Sequence, residues 1–252
     1  MRRIVLARLG LLAGLLALWE LWASRRDPLL YVPPSRVLPA LGRVLRLEAY
    51  PTLLEHFGLT VLEVLAAYLL AVGLGLALGF ALGLSRPVGE IYEPLLAGLY
   101  AIPSVVWYPS LMLFFGLGPA SKVAFGMLLG FFPVVLAVLA GIRSVDQQLL
   151  VVARGLGAGA GTCFVKVMLP SMTATLLAGL RAGLALTVVG VLVGEILGAR
   201  RGLGYLINYA YGFLRTAEYA ALALLALGLV LAVDGVAAWV EGRARRWTEG
   251  AA

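Results

Sequence analysis

Residues able to do covalent or metal chemistry are few in this chain and lie far apart. There is one histidine, His56, and one cysteine, Cys163, in 252 residues. A single cysteine permits no intrachain disulfide and no cysteine metal cluster, and a single histidine excludes a multi-histidine metal site within one chain. The three aspartates stand at positions 27, 146 and 234. The chain therefore offers no convergent set of catalytic groups.

The composition indicates a protein that crosses a membrane several times. Hydrophobic residues make up 62% of the chain and charged residues 13%, whereas soluble domains have about 45–50% and about 25%. The mean hydropathy is +0.98. These values exclude disorder and nearly exclude a soluble enzyme or a nucleic-acid-binding domain, despite a net charge of +7. At about 20 residues per helical span, the chain has room for about five to seven spans.

Six apolar runs predict six transmembrane helices in an all-α membrane bundle. They cover residues 4–23, 58–84, 94–117, 123–142, 172–197 and 217–240. The proline-rich stretch between the first two runs is too polar to span, although residues 35–46 have the pattern of a surface helix. Six spans put both termini on one side. Outside Arg181, which lies within the fifth span, basic residues number ten on that side and nine on the other, which does not decide the orientation.

Three carboxylates fall inside the predicted spans, where ionisable groups are costly and usually face an interior or a partner. Glu195 lies close to the two arginines that follow the fifth span. It therefore forms either an ion pair at the membrane surface or a gate or solute contact. Glu63 is near the start of its span and is expected to reach the headgroups, and Asp234 is expected to pair with the basic tail. His56 is expected to be an interfacial residue and not a ligand.

Small residues recur every four positions in the second and fifth spans. Such rows let helix backbones approach closely, so they indicate either packing within one bundle or a seam between two subunits. The members singled out for helix packing are Gly75, Gly79, Gly83, Gly190 and Gly194.

The third predicted span is interrupted by two prolines. Proline removes a backbone donor and kinks a helix, and the freed carbonyls are tolerated where protein or a water-lined cavity satisfies them. This stretch is therefore either a kink needed for packing or a lining of a solute path. Its candidate path residues are Pro103, Ser104, Trp107, Tyr108 and Pro109.

The most informative segment is the polar interruption at residues 143–170. Ser144 and Gln147 form a capping-box pattern that starts a helix. An apolar stripe with i, i+3, i+4 and i+7 spacing follows, formed by Leu149, Val152, Ala153 and Leu156. Gly157 is placed to supply a left-handed cap, and a second short helix is predicted over 162–169, ended by the next proline. The apolar face of this helix–turn–helix either lies on lipid or is covered by a partner.

This segment resembles the cytoplasmic pattern of the permease subunits of ABC-type importers. The pattern reads Glu-Ala-Ala, three residues, Gly, nine residues, Ile, one residue, Leu-Pro. The chain matches its spacing with Val151-Val152-Ala153, Gly157, Val167 and Leu169-Pro170, and departs from it because Val151 replaces the Glu. Further fragments, in the same order over about residues 50–245, resemble the nitrate/sulfonate/taurine branch: His56-Phe-Gly-Leu-Thr, Glu93-Pro94, Ala101-Ile102-Pro103, Phe115-Gly116-Leu117-Gly118, Phe132-Pro133, Gly194-Glu195 to Gly198, and Gly202-Leu-Gly-Tyr205.

The resemblance implies the type I importer permease fold and a set of partners. A homodimer of permease subunits encloses the solute path, two ATPase subunits bind at the cytoplasmic face, and a periplasmic or lipid-anchored binding protein delivers the solute. ATP and Mg²⁺ belong to the ATPase, and no cofactor is expected on this chain. A P-loop needs Gly-Lys before Ser or Thr, whereas the two lysines follow Ser121 and Val165.

The resemblance also implies a location for each part of the chain. Segment 143–170 faces the cytoplasm, and so do both termini, in a bacterial cytoplasmic membrane. Residues 1–57 are then a first transmembrane helix with a periplasmic segment. Residues 58–252 form the permease core, with five transmembrane helices and a coupling helix at about 144–170.

In the resembled family the short cytoplasmic helix enters a groove of the ATPase and transmits its movement to the spans. The Glu of the pattern anchors this helix by polar contacts that Val151 cannot make. Either apolar packing together with Arg154, or Asp146, takes over those contacts. The residues expected to couple to the ATPase are Asp146, Leu149, Val152, Ala153, Arg154, Leu156, Gly157, Leu169 and Pro170.

Two other functions compete with the permease hypothesis. A polytopic membrane enzyme is disfavoured because the chain lacks clustered catalytic residues. A stand-alone channel or secondary carrier is disfavoured because no repeated halves with matching broken helices are visible in the sequence. The resemblance leaves the solute open among sulfonates, taurine, nitrate, thiamine-precursor pyrimidines, riboflavin-like compounds and aromatic acids.

Overall fold

The computed structural model describes residues 2–249, and within them the side chains of residues 4–243. Residues 2–249 form helices joined by short connections. The α-helices are α1 (Arg2–Ser24), α2 (Pro34–Leu45), α3 (Leu53–Gly83), α4 (Arg86–Ala101), α5 (Tyr108–Phe115), α6 (Pro119–Arg143), α7 (Gln147–Gly155), α8 (Ala160–Cys163), α9 (Leu169–Gly198), α10 (Leu203–Gly212) and α11 (Thr216–Glu249). A 3-10 turn at Ser104–Trp107 precedes α5, and a π turn at Phe164–Met168 joins α8 to α9.

Five of these helical segments are individually long and apolar enough to cross a membrane. They are Ile4–Ser24, Leu53–Gly83, Pro119–Arg143, Ala160–Gly198 and Thr216–Arg243. The sixth candidate is a bent pair, Arg86–Ala101 with Ser104–Phe115, whose two arms meet at 83°. The predicted all-α bundle with six spans is therefore confirmed, with the third span broken.

The break in the third span has a local cause. Pro103 forces the preceding residue out of the helical region, and Ile102 accordingly has φ −66° and ψ 131°. Gly116, at φ +75°, then ends α5. The prediction of one interrupted span over 94–117 was wrong in its bounds, because α4 already begins at Arg86 and α5 ends at Phe115.

By its internal packing the described chain divides into two compact units. The first comprises Met1–Thr60 and Glu195–Leu229, and the second comprises Val61–Gly194 and Val230–Ala252.

In the first unit, α2 is an amphipathic helix that confirms the predicted surface helix at 35–46. It buries Val37, Ala40 and Val44. Farther along, the Tyr50 hydroxyl donates a hydrogen bond to Glu218 at 2.9 Å. Burial, and then the Glu218 carboxylate, raise the pKa of Tyr50 to about 12, so the hydroxyl stays protonated and remains a donor.

In the second unit, the glycine row of α3 lies against α6. A Cβ atom added to Gly79 would lie 2.6 Å from the Val138 Cβ, and one added to Gly83 would lie 2.5 Å from the Ile142 Cδ1. Gly190 of α9 likewise approaches the Gly126 backbone of α6. These contacts favour packing within one chain over a seam between subunits as the purpose of both rows.

Two carboxylates occupy positions that differ from those predicted. Glu63 is buried rather than directed at the headgroups. Asp234 accepts two hydrogen bonds from Arg181 of α9, both of 2.8 Å. Its predicted partner was the basic tail, in which the side chains of Arg245 and Arg246 lie outside the described residues. The sequence could not reveal the second pairing, because Arg181 and Asp234 are 53 residues apart and meet only when α9 packs beside α11.

We expect Gly79→Leu to destabilise the protein and Gly73→Leu to leave its stability unchanged. Both glycines are in α3, but Gly73 is exposed and has no atom within 4 Å of an added Cβ. Overpacking a helix contact typically costs about 1–3 kcal/mol. Thermal unfolding in detergent should show a midpoint several degrees lower for Gly79→Leu than for the wild type. Equal midpoints for the two variants would contradict the packing described for α3 and α6.

Candidate functional site

Helix α7 starts at a side-chain cap supplied by Asp146. Its Oδ1 accepts a hydrogen bond of 2.8 Å from the Gln148 N–H, which satisfies a donor that the helix leaves unpaired. The predicted capping box starting at Ser144 was wrong. The Ser144 hydroxyl instead donates to the Gly141 carbonyl at 2.8 Å, at the end of α6.

The end of α7 depends on Gly157, as predicted. Gly157 has φ +86°, in the left-handed region. Its N–H donates to the Arg154 carbonyl at 2.9 Å, and the Ala158 N–H donates to the Ala153 carbonyl at 3.0 Å. Glycine adopts this conformation without the Cβ penalty that other residues meet. Both ends of α7 are thus held by specific local bonds.

The two faces of α7 have different surroundings. Leu150 is buried in a cluster with Val145 and Cys163, against which Ala153 also packs. The opposite face is apolar and open: Leu149, Val152 and Leu156 are 51%, 60% and 84% exposed. Of the predicted stripe, Ala153 therefore belongs to the inner face. Leu150 was not among the residues predicted from the sequence, although its i, i+3 spacing with Ala153 was a usable signal.

The segment after α7 does not end at Pro170. Helix α8 passes through the π turn at Phe164–Met168 and continues as α9 from Leu169 to Gly198. In a π turn one backbone carbonyl lacks its usual helical partner. Pro170, which has no N–H to donate, is therefore accommodated just after this turn without breaking the helix. The predicted separate helix at 162–169 was therefore wrong. The segment carrying Leu169 and Pro170 is continuous with the fifth span.

The predicted path residues at the bend of the third span differ in their exposure. Pro103, Trp107 and Pro109 are exposed, and Ser104 is partly so. Tyr108 is fully buried, packs on Phe125 with ring centroids 5.0 Å apart, and donates a hydrogen bond of 2.5 Å to the Gly194 carbonyl. This burial does not fit the prediction that Tyr108 lines a path, because both its ring and its hydroxyl are taken up by helix packing.

Glu195 is the centre of a buried polar network in the first unit. It is 1% exposed. Its Oε1 accepts from the Thr60 hydroxyl and its Oε2 from the Gly204 N–H, both at 2.7 Å. The Thr60 Oγ1 in turn accepts from the Leu203 N–H at 2.8 Å. Since Leu203 and Gly204 open α10, the carboxylate stabilises that helix's N-terminus.

Two further residues complete this network. The Gly202 N–H donates to the His56 Nδ1 at 2.9 Å, so the proton of a neutral His56 is on Nε2. Gly202 has φ +106°, and a Cβ atom added there would lie 2.1 Å from the Glu195 Oε1. The burial of Glu195 does not fit its predicted role in the solute path, because its oxygens are directed at the start of α10.

Comparison with known proteins identifies the family of this architecture. The family described as "Binding-protein-dependent transport system inner membrane component" matches residues 71–246. The chain belongs to this family. The permease is 32% identical over 218 residues to the taurine transport system permease protein TauC of Escherichia coli, covering 85% of this chain and 79% of that protein. It is 28% identical to the nitrate import permease protein NrtB of Synechococcus elongatus, covering 71% and 65%.

The fold of the permease also matches a solved importer structure. An inward-facing MetNI methionine ABC transporter structure aligns with a TM-score of 0.63 and 20% identity, covering 77% of this chain and 98% of that one. The chain is thus a multi-pass permease subunit of a binding-protein-dependent ABC importer with the type I fold. The predicted resemblance to the nitrate/sulfonate/taurine branch is confirmed, and a membrane enzyme or a stand-alone carrier is not favoured.

Proposed function

We propose that the open face of α7 is the surface through which a separate ATPase subunit drives this permease. The supporting observation is the exposed set of Leu149, Val152 and Leu156 on a helix that is held at both ends and anchored underneath by Leu150. A short helix whose apolar side chains are held at fixed positions can bind with that face in a hydrophobic groove of another protein. ATP and Mg²⁺ are bound by that ATPase, and this chain hydrolyses nothing.

The missing glutamate of the family pattern is replaced by apolar packing together with Arg154. Val151 is exposed and cannot accept a hydrogen bond. Asp146, the other candidate, already uses its carboxylate to cap α7. Arg154 is exposed in the last turn of α7, where a cation is favoured by the helix dipole and is available to a carboxylate of the ATPase.

Movement of α7 reaches the spans through its inner face. Leu150 and Ala153 pack with Cys163, Val167 and Met168, which lead directly into Leu169 and Pro170 at the start of α9. A displacement of α7 therefore pulls on the fifth span without an intervening flexible loop. In this proposal α7 and both termini face the cytoplasm, and a periplasmic or lipid-anchored binding protein delivers solute at the opposite surface.

Two copies of this chain form the solute path in the proposal, and its lining at the exposed bend of the third span comprises Pro103, Ser104, Trp107 and Pro109. Residues 1–57 add a first span and a periplasmic segment to a core that starts at about residue 58. The family match beginning at residue 71 supports such a core.

The proposed solute is a small organic anion or heterocycle, with sulfonates first. TauC is named for taurine and NrtB for nitrate. A thermal-shift screen of the partner binding protein against taurine, alkyl sulfonates, nitrate, thiamine-precursor pyrimidines and riboflavin tests this assignment. Stabilisation by none of these compounds would contradict it.

The coupling role of α7 predicts that Leu149→Ser/Val152→Ser/Leu156→Ser loses association with the ATPase. Removing three apolar anchors from an interface core is expected to weaken binding by at least about a hundredfold. The measurement is co-purification and titration of the permease with its ATPase. The matched control, Leu38→Ser/Leu45→Ser, changes two exposed leucines of α2 and should bind normally. Normal ATPase binding by the triple variant would overturn the proposal.

A further inference from the structure

A cleft of about 1140 Å³ lies beside α7, within the second unit. Its walls are the last turns of α3 and α6, the first turn of α4, both ends of α7, and the residues around α8 and the π turn. The open coupling face of α7 does not contribute: Leu150 lines the cleft, whereas Leu149, Val152 and Leu156 do not. The cleft is therefore separate from the apolar part of the proposed ATPase surface and shares only Arg154 with it.

The polar side of the cleft is basic. Arg86, Arg143 and Arg154 line it, and Glu90 is the one acidic residue among its described lining residues. Arg86 and Glu90 form an exposed pair at 3.0 Å, which solvent screens strongly. Arg143 contacts Glu93 at 2.5 Å while keeping nearly half of its side chain exposed. Within residues 4–243, Arg154 has no carboxylate at ion-pair distance.

The inner side of the cleft is apolar. Its lining includes Leu139, Ile142, Leu150, Phe164 and Met168. Phe164 is held edge-on against Phe80 of α3, with ring centroids 5.4 Å apart. An occupant that uses the whole cleft must therefore be amphipathic, with a negative head and an apolar body. A free inorganic anion would leave the apolar wall unused.

Two arginines of the cleft stand at the ends of apolar helices. Arg143 ends the apolar helix α6, and Arg86 begins α4 immediately after the apolar helix α3. Basic pockets between the ends of transmembrane helices are suited to anionic lipid headgroups. We therefore expect the arginines to meet lipid headgroups and the apolar wall beside them to meet acyl chains.

We propose that this cleft binds one anionic phospholipid, whose phosphate lies among Arg86, Arg143 and Arg154 and whose acyl chains follow Ile142, Leu150 and Phe164. The bound lipid joins α7 to the ends of α4 and α6. The position of the coupling helix then depends on anionic lipid in the surrounding leaflet. The effect of anionic lipid on the coupling helix does not depend on which solute the importer carries.

The test is native mass spectrometry of the full-length purified permease titrated with defined lipids in neutral detergent. The probes are dioleoyl phosphatidylglycerol, dioleoyl phosphatidylcholine with the same chains, and inorganic phosphate. We expect phosphatidylglycerol to be retained at least about tenfold more tightly than phosphatidylcholine. Removing basic residues near an anionic headgroup should weaken retention by about fivefold for each arginine.

Variants distinguish lipid binding in the cleft from lipid binding elsewhere on the protein surface. Arg86→Gln/Arg154→Gln should lose the preference for phosphatidylglycerol, and the control Arg36→Gln/Arg200→Gln, which alters exposed arginines elsewhere, should keep it. Gly161 lines the cleft and has free space around an added Cβ, so Gly161→Phe should block the lipid without removing a charge.

Four results would overturn the proposal. The first is equal retention of the two lipids by the wild type. The second is an equal loss in the cleft variants and the control. The third is retention of inorganic phosphate as tightly as phosphatidylglycerol, which would assign the arginines to a free anion. If the cleft variants lost ATPase binding but kept phosphatidylglycerol, the cleft would belong to the protein partner and the lipid proposal would equally fail.

Discussion

Glu195→Ala is expected to prevent the permease from accumulating as a stable, monodisperse protein. The substitution removes both carboxylate oxygens from the buried network, so the Gly204 N–H loses its acceptor and the Thr60 hydroxyl keeps only its longer bond, of 3.1 Å, to the His56 carbonyl. Each orphaned buried donor costs about 1–3 kcal/mol, and a cavity adds to this. The total of about 3–6 kcal/mol is a large part of the 5–15 kcal/mol that stabilises a typical protein.

Two further variants make the Glu195 experiment specific. Glu195→Gln keeps one acceptor oxygen but presents an NH₂ group to a donor, so its stability should lie between those of the wild type and Glu195→Ala. Glu48→Ala, which removes an exposed carboxylate, should behave like the wild type. The measurements are size-exclusion profiles and thermal unfolding in detergent. A Glu195→Ala protein with wild-type stability but no transport would instead support a solute-contacting role for Glu195.

Gly157→Val is expected to uncouple ATP hydrolysis from transport. Gly157 has φ +86°, and a β-branched residue pays about 1–3 kcal/mol to adopt that conformation. The bonds from Gly157 and Ala158 that close α7 would be lost or displaced, and the open face would no longer be held at a fixed angle. In vesicles containing the ATPase and the binding protein, transport should fall at least about tenfold while ATPase activity persists.

The controls for this prediction come from the same loop. Gly159 has φ −70° and no atom within 4 Å of an added Cβ, so Gly159→Val should transport normally. Gly157→Asn should retain part of the activity, because asparagine tolerates the left-handed region better than valine. Normal coupling in Gly157→Val would remove α7 as the transmitting element. An equal defect in Gly159→Val would show that the loop merely requires small residues.

The apolar runs, the turn glycine and the surface helix α2 were predictable from the sequence because each depends on local properties. A run of about 20 apolar residues has few stable positions outside a membrane, and an amphipathic pattern has one buried face. Gly157 was identified for the same reason, since a left-handed cap is decided by one residue's backbone. The family followed from motif spacing, which survives when individual residues such as Val151 change.

The errors arose where distant segments meet. Proximity along the chain suggested an ion pair between Glu195 and the arginines that follow it. It likewise suggested the basic tail as the partner of Asp234. In the folded chain, however, Glu195 bonds Thr60, 135 residues away, and Asp234 bonds Arg181. Hydropathy also cannot show which side of an apolar helix is covered, so Tyr108 was placed in a path although it packs inside the bundle. Local chemistry thus dictates which segments enter the membrane, whereas tertiary packing decides which polar groups pair and which apolar face stays open.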